Sequence, residues 1–309
     1  MTSSSDFRAG FISLVGRPNA GKSTLTNALV GQKIAITSNK PQTTRHTIRG
    51  VVHRENFQLI LVDTPGIHRP RTLLGHRLNN LVEDTLREVD VIGFCTPANQ
   101  AVGPGDRFIV EQLAKVKRTP VIAIVTKTDT VDKARVANHL LEVQAMGDEL
   151  LPGGFKDIVP VSAVKGEQLD ALENVMAEHM PVSPPLYPDG DVTDQPELKL
   201  VSEFIREAAL EGVREELPHS LTVTIEEMEP REDRPEDNPL TDIYATLYVE
   251  RDSQKAIVIG KRGSRLRDVG QRARRSIEAM LGTKVYLDIR VKVAKDWQRD
   301  ARHLDRFGF

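Results

Sequence analysis

The first 180 residues alternate short apolar runs with longer amphipathic stretches. Several runs are too continuously apolar for a strand that faces water on one side, so they indicate strands buried on both faces of a sheet. Alternation of strands and helices predicts an α/β fold with a mainly parallel sheet covered by helices. The predicted strands occupy 11–15, 47–53, 57–62, 91–96, 121–126 and 158–163, and the predicted helices occupy 23–30, 73–88, 105–117, 133–149 and 167–179.

The pattern changes at the stretch PVSPPLYPDGDVTDQP, residues 181–196. Its prolines and few apolar residues are typical of a linker that spaces two domains semi-rigidly. Beyond it the order is helix, strand, strand, helix, Gly-rich turn, helix, strand and short helix, which predicts a smaller α+β domain. We therefore predict one domain over 7–180, a linker over 181–197 and a second domain over 198–309.

Composition narrows the class of protein. The chain has 309 residues, enough for about two domains. Cys95 is the single cysteine, which excludes an intramolecular disulfide and a Cys-rich metal site. No apolar run approaches a membrane span, and the first residues lack the apolar stretch of a signal peptide. We expect a cytoplasmic monomer, and the alternative that a fraction of the protein binds peripherally to the cytoplasmic membrane is left open.

Charge is unevenly distributed, although the net charge is only −2. Residues 198–250 carry 5 Lys/Arg against 14 Asp/Glu, and residues 251–309 carry 16 against 7. A locally basic segment of this kind favours a nucleic-acid partner for the second domain.

A phosphate-binding pattern, Gly16-x-x-x-x-Gly21-Lys22-Ser23, follows the first apolar run and precedes a helix. The glycines let successive backbone N–H groups converge on one point, and the helix N-terminus adds partial positive charge there. Lys22 is placed to reach the outer phosphates, and the Ser23 hydroxyl is suited to Mg²⁺. This loop alone does not separate ATPases, kinases and GTPases.

Further motifs at strand ends favour guanine. Asp63 follows the run at 57–62, where a carboxylate can hold Mg²⁺ through water. Asp129 lies in TKTD after another strand, where it can accept hydrogen bonds from the guanine N1–H and 2-amino groups. The stem of Lys127 can lie across the purine, and a backbone N–H at Ser162-Ala163 can meet the guanine O6. Such strand ends are where α/β folds bind ligands.

The motifs GRPNAGKST, PQTTRHTIRG, DTPGIH, TKTD and SAVKG together resemble the nucleotide motifs of the Era family of bacterial ribosome-associated GTPases. The resemblance covers about residues 9 to 305 and implies GTP/GDP and Mg²⁺ as ligands, with hydrolysis of GTP. The nucleotide-binding residues that it implies are Gly16, Asn19, Ala20, Gly21, Lys22, Ser23, Thr24, Asp63, Gly66, Thr126, Lys127, Asp129, Ser162 and Ala163. The metal ligands that it implies are Ser23, Thr44 and Asp63, and the catalytic residues are Asn19, Lys22, Thr44 and Gly66.

The chain departs from related motifs at two positions. Thr126 stands where the family usually has Asn, which puts guanine affinity in question. Ile67 stands where Ras-like enzymes place the Gln that orients water, so the catalytic charge must come from elsewhere. Asn19 is a candidate to hold K⁺ for this purpose, and the alternative is that it only tolerates a turn. His68 as a general base is less favoured than a solvated loop histidine.

The stretch VIGKRGSRL resembles the Gly-x-x-Gly turn of a type II KH domain. Glycines let a nucleic-acid backbone approach closely, and basic residues favour phosphate. Single-stranded RNA is the expected partner, held by Ile259, Gly260, Lys261, Arg262 and Gly263, with apolar residues 256–259 as the floor of a groove. The alternative for Arg272, Arg274 and Arg275 is a solvated helix face.

The family resemblance implies that the RNA is the 3′ tail of the small-subunit ribosomal RNA. It also implies a role in maturation of the small ribosomal subunit. Two other functions remain open from the residues: an RNA-binding module with a structural nucleotide that is never hydrolysed, and a P-loop kinase or ATPase.

Overall fold

Contacts within the computed structural model divide the chain into two compact units, and each is described by itself. The structure describes residues 7–38, 40, 43–67, 70, 72–116, 118–212, 220–232, 234–235 and 237–309. The first unit comprises Met1–Ala35, Thr44–Arg69 and Leu78–Asp194, and the second comprises Ile36–Thr43, Pro70–Arg77 and Gln195–Phe309. The domain boundaries predicted from the sequence stay predictions.

A six-stranded sheet forms the centre of the first unit, in the order β2-β3-β1-β4-β5-β6. The pair β2–β3 is antiparallel and the other neighbouring pairs are parallel, so the predicted mainly parallel sheet is confirmed. The strands are β1 (Arg8–Gly16), β2 (Ile48–His53), β3 (Phe57–Asp63), β4 (Val91–Pro97), β5 (Val121–Thr126) and β6 (Ile158–Pro160).

Both faces of this sheet are buried. Leu14 and Ile124 pack into one apolar cluster, while their neighbours Val15 and Val125 pack into another. Successive side chains of a strand point to opposite faces, which explains why these strands read as continuous apolar runs. Each such side chain stabilises the fold by about 1.5–3 kcal/mol when it is fully buried.

Helices of the first unit lie close to their predicted positions. They are α1 (Lys22–Val30), α2 (Leu73–Glu88, whose first residues belong to the second unit), α3 (Pro104–Leu113), α4 (Lys133–Leu150) and α5 (Leu169–Glu178). Helix α3 is shorter than predicted and ends at Leu113. Strand β6 is also shorter than predicted, because Ser162 and Glu167 exchange backbone hydrogen bonds of 3.1 and 3.0 Å in a turn just beyond it.

Part of the proline-rich stretch is hydrogen-bonded to the edge of the first unit. The buried Gln58 side chain accepts from the amides of Leu186 and Tyr187 at 2.7 and 3.0 Å and donates to the Tyr187 carbonyl at 2.9 Å. The Val51 amide donates to the Val192 carbonyl at 3.0 Å. These residues are thus held along β2 and β3 up to Asp194, the last residue of the first unit.

The second unit has a three-stranded sheet in the order β7-β8-β9, antiparallel between β7 and β8 and parallel between β8 and β9. Phe204, Ile277 and Leu247 belong to its apolar core. Among the described residues, the predicted α-β-β-α-α-β order is present, and the predicted short helix follows its last strand. Its elements are α6 (Glu197–Leu210), β7 (Thr222–Pro230), β8 (Leu240–Val249), α7 (Asp252–Ile259), α8 (Ser264–Leu281), β9 (Lys284–Val293) and α9 (Ala301–Arg306).

None of the helices in the described ranges has both the length and the apolar character that crossing a bilayer requires.

Candidate functional site

The loop between β1 and α1 is tightly wound at the sheet's carboxyl edge. Gly16 has φ of +158°, and a Cβ at this position would lie 2.4 Å from the carbonyl oxygen of Cys95. The neighbouring strand therefore leaves no room for a side chain. The amide of Ala20 donates to the carbonyl of Arg17 at 3.2 Å, which closes the turn ahead of α1.

Lys22 is the first residue of α1, and its side chain folds back over this loop. Its Nζ donates to the carbonyls of Gly16 and Arg17 at 3.3 and 3.2 Å. The side chain is buried, and burial lowers its pKa while Asp63 partly offsets the shift. A buried ammonium beside a helix N-terminus is the electrostatic environment that a phosphate group requires.

The three predicted metal ligands meet at one place. The Ser23 hydroxyl donates to Oδ2 of Asp63 at 2.7 Å and lies 3.0 Å from the Thr44 hydroxyl, which lies 3.4 Å from the same carboxylate oxygen. These residues come from α1, the end of β3 and the loop before β2, so tertiary structure assembles the set.

Asp63 has features that fit a divalent cation. Its carboxylate is fully buried, and burial raises its pKa. Its Oδ1 atom has no hydrogen-bond partner among the residues that the structure describes. A buried carboxylate oxygen without a donor is costly unless a cation or its water satisfies it. Oxygen ligands of this kind suit Mg²⁺.

The base-recognition residues lie beyond β5 and β6. Asp129 lies in a 3₁₀ turn, and its Oδ1 accepts from the Ser162 hydroxyl at 2.7 Å. Lys127 has a left-handed backbone, with φ of 58°, and its Nζ donates to the carbonyl of Asn19 at 2.7 Å. Ala163 follows Ser162 and is partly buried against the apolar core. Asp129 and Ser162, each predicted separately to contact guanine, are therefore in direct contact with each other, which the sequence alone did not indicate.

Thr126 connects the base motif to the phosphate loop. Its hydroxyl donates to the carbonyl of Ala20 at 2.6 Å, and its side chain is buried. Thr126 therefore connects the two loops by a direct hydrogen bond. Ala20 is itself buried, and Thr24, another predicted nucleotide contact, lies half-buried in the first turn of α1.

Gly66, the last residue of the DTPG motif, lies against the phosphate loop, and a Cβ there would be 3.0 Å from the Pro18 nitrogen. Asn19 is exposed with φ of 64°, a left-handed conformation that Asn tolerates, while its predicted role with K⁺ stays a prediction. Ile67 packs against an apolar cluster of the first unit. His68 lies outside the described residues.

The predicted RNA-binding turn joins α7 to α8. Gly260 has φ of 71°, and a Cβ there would lie 2.6 Å from the Cβ of Arg265, so a side chain does not fit. Lys261 and Arg262 are exposed, and Arg262 and Gly263 also have positive φ values of 53° and 75°. The turn therefore presents two cations at the N-terminus of a long helix.

Residues around the turn divide between core and surface. Val258 is fully buried in the core of the second unit, so the prediction that it forms the floor of a groove is wrong. Successive side chains of a helix point about 100° apart, so the residues on either side of Val258 point away from the core contact that it makes. Ile257 is 52% exposed and Ile259 is half-buried. Arg272 pairs with Glu211 and with Asp268, so the alternative of a solvated helix face applies to it.

Comparisons with known proteins support both the nucleotide-binding site and the RNA-binding turn. The family described as "50S ribosome-binding GTPase" matches residues 11–127, and the family described as "KH domain" matches residues 216–298. The GTPase Era of Streptomyces coelicolor is 63% identical over 302 residues, covering 98% of this chain and 95% of the relative. The GTPase Era of Mycolicibacterium smegmatis is 65% identical over 305 residues, covering 98% and 99%.

Two solved structures of Era match this chain, each with a TM-score of 0.91 and 37% identity over 98% of this chain and 99% of the other. One is a complex of Era with MgGDPNP and nucleotides 1506–1542 of 16S ribosomal RNA. The other is a variant of Aquifex aeolicus Era bound to GDP and AlF4⁻. Because full-length relatives share well over half of its residues, the chain belongs to the Era family of GTPases.

Proposed function

We propose that this GTPase acts as a switch that binds the single-stranded 3′ tail of 16S ribosomal RNA and assists maturation of the small ribosomal subunit. The observation that carries the RNA half is the turn at Gly260–Gly263, where two glycines with positive φ flank two exposed cations. Such a turn suits clamping of an RNA backbone. The Era complex with 16S ribosomal RNA supports the same assignment.

In the nucleotide half, we assign phosphate binding to Lys22 and the loop from Gly16 to Gly21. Ser23, Thr44 and Asp63 would hold Mg²⁺, which neutralises phosphate charge and orients the phosphates when it is bound. We assign guanine selection to Asp129, oriented by the Ser162 hydroxyl. Gly66 lies against the phosphate loop, and we assign its backbone to the terminal phosphate.

Ile67 cannot supply the remaining catalytic charge, and its side chain packs against an apolar cluster of the first unit. We assign this charge to K⁺ held near Asn19. We also propose that the protein is a monomer and acts on the small ribosomal subunit in the cytoplasm. A peripheral fraction would lie at the cytoplasmic membrane.

The test is RNA affinity, measured with GDP and with a non-hydrolysable GTP analogue at one salt concentration, because phosphate contacts make affinity salt-dependent. The double variant Lys261→Glu/Arg262→Glu should weaken binding of the 3′ tail by roughly 10- to 100-fold. It leaves Gly260 unchanged, which matters because a side chain there clashes with Arg265. A matched reversal at exposed Lys295 and Arg302 should change RNA affinity little.

In wild-type protein we expect tighter RNA binding with the GTP analogue than with GDP, by about 5- to 150-fold. Equal affinity in the two nucleotide states would contradict the switch, and unchanged RNA binding by the turn variant would contradict the RNA site.

A further inference from the structure

Arg17, the second residue of the phosphate loop, is connected through its backbone to the residues around the phosphate position. Its carbonyl accepts hydrogen bonds from the amide of Ala20 and from Nζ of Lys22, both at 3.2 Å. Lys22 is buried, and it is the residue to which we assign phosphate binding. The position of the Arg17 backbone therefore affects both the turn of the loop and the lysine.

The side chain of Arg17 leaves the loop and reaches helix α3. Its Nε donates to Oδ1 of Asp106 at 2.8 Å. Its stem lies against the start of the helix, since a Cβ at Gly105 would be 2.8 Å from Cδ of Arg17. These contacts join the loop after β1 to the loop after β4, and all of these residues belong to the first compact unit.

Asp106 is a rigid point of attachment for this side chain. Asp106 is fully buried, while the side chain of Arg17 is 26% exposed. The second carboxylate oxygen, Oδ2, accepts from the amide of Gly103 at 2.9 Å and so caps the N-terminus of α3. A buried carboxylate requires a counter-charge and hydrogen-bond donors, which Arg17 and the Gly103 amide supply. One carboxylate therefore both caps α3 and holds the phosphate loop.

We propose that Asp106 is a positioning residue that sets the conformation of the phosphate loop through Arg17. The inference rests on the proposed assignment of this loop to phosphate and deepens it. A loop that is held in place before the nucleotide arrives loses less conformational entropy on binding. GDP and GTP share the phosphates that we assign to the loop, so the contribution of Asp106 should be equal for both.

The test is the affinity of full-length protein for GDP and for a non-hydrolysable GTP analogue, both with Mg²⁺. Asp106→Asn keeps an oxygen that can cap Gly103 but removes the counter-charge of Arg17, whose side chain can then turn towards solvent. Both affinities should fall by about 5- to 30-fold, because a hydrogen bond between charged groups is lost. The matched control is Arg107→Met, which removes an arginine of the same helix that pairs with Glu149, and it should change neither affinity.

A double-mutant cycle separates positioning from stability. Arg17→Met leaves the Asp106 carboxylate buried without a counter-charge, so both GDP affinity and the urea midpoint of unfolding should fall. Arg17→Met/Asp106→Asn removes that buried charge, so the urea midpoint should recover while GDP affinity stays as low as in Asp106→Asn. Recovery of affinity together with the midpoint would mean that the pair has only a structural role, and it would overturn the proposal.

A spectroscopic measurement tests the loop directly. At saturating GDP, the ³¹P resonance of the β-phosphate should move in Asp106→Asn relative to wild type, because its chemical shift reports the groups that surround the phosphate. Arg107→Met should leave this resonance in place. An unmoved resonance in Asp106→Asn, or unchanged affinity for both nucleotides, would overturn the proposal.

The proposed phosphate assignment has a separate criterion. If Lys22→Ala binds GDP as tightly as wild type, that assignment fails, whatever Asp106 does. If Lys22→Ala loses affinity and Asp106→Asn does not, the phosphate assignment stands and only the positioning role of Asp106 is contradicted.

Discussion

The hydroxyl of Thr126 donates a 2.6 Å hydrogen bond to the carbonyl of Ala20, which ties the end of β5 to the phosphate loop. This bond spans 106 residues of sequence and is buried. The base-recognition motif and the phosphate loop are therefore joined through the hydroxyl of Thr126.

Replacing Thr126 with Val should weaken GTP and GDP binding together, by about 2- to 10-fold, because a neutral buried hydrogen bond contributes about 0.5–1.5 kcal/mol. The two side chains have similar shape, so the change isolates the hydroxyl. Thr85→Val is a matched control, since the Thr85 hydroxyl donates to the carbonyl of Leu81 within α2. Unchanged nucleotide affinity in Thr126→Val would show that the tie has no role in binding.

Asp129→Asn should weaken GTP binding by roughly 10- to 100-fold and create binding of XTP, because an amide suits the xanthine edge better than that of guanine. The Asn oxygen can still accept from Ser162, so local geometry is retained. Affinities for both nucleotides measure the change, with Asp132→Asn, at the N-cap of α4, as the acid-to-amide control. GTP affinity equal to that of wild type would rule out the assignment.

Ser23→Ala and Lys22→Ala should have different dependences on the metal. Loss of the Ser23 hydroxyl should reduce GDP affinity in Mg²⁺ and leave affinity in EDTA nearly unchanged, since that hydroxyl acts through the cation. Loss of the Lys22 ammonium should reduce affinity in both conditions by roughly 10- to 100-fold, since it acts on phosphate directly.

Exposed Lys33 provides the matched control Lys33→Ala for loss of a lysine charge. Titrations with a fluorescent GDP analogue, on protein whose fold is checked by circular dichroism, make the comparison. Equal metal dependence for the Ser23 and Lys22 variants would contradict these separate roles.

GTP hydrolysis should be faster in KCl than in NaCl at equal ionic strength, because Ile67 cannot orient water and K⁺ would supply charge. Asn19 has positive φ, so the informative variant is Asn19→Gly, which keeps the turn and removes the side chain. We expect this variant to lose the difference between the two salts. If it keeps the difference, Asn19 serves the turn alone, and equal wild-type rates would remove the K⁺ hypothesis.

Stability of the second unit should rise with pH between about 8 and 10.5. Burial lowers the pKa of Lys199 to about 8, from 10.5 for the unperturbed group. Across this window the unfolded chain binds more protons than the folded one, so the free energy of unfolding increases as pH rises. Below pH 8 the folded protein carries the full cost of a buried charge.

Lys199→Met removes the cost of burying a charged ammonium. At pH 7 its free energy of unfolding should exceed that of wild type by up to about 3 kcal/mol, and this difference should disappear near pH 10. Trp297, the only tryptophan of the chain, is buried in the second unit and reports its unfolding by fluorescence in urea. If the difference in free energy of unfolding between the variant and wild type is constant with pH, Lys199 is not the group that titrates.

The sequence determined much of the fold, because the pattern of apolar residues within a single strand or helix indicates which of its faces are buried. Leu14 and Val15 belong to different apolar clusters, and a strand buried on both faces reads as an unbroken apolar run. The phosphate loop was equally predictable, because glycines, lysine and a following helix act within a few residues of one another. The turn at Gly260 was predicted for the same reason, whereas the orientation of Val258 depended on which face of α7 meets the core.

Only the tertiary structure decided which distant groups share a hydrogen bond. Ser162 and Asp129 are 33 residues apart, and nothing in either motif indicates that the hydroxyl orients the carboxylate. Arg206 and Glu207 are ordinary charged residues of an amphipathic helix until folding sets them against Thr43 and Thr37. Sequence periodicity reports whether a side chain is buried, but the partner that satisfies a buried polar group is chosen by the packing of elements remote in the chain.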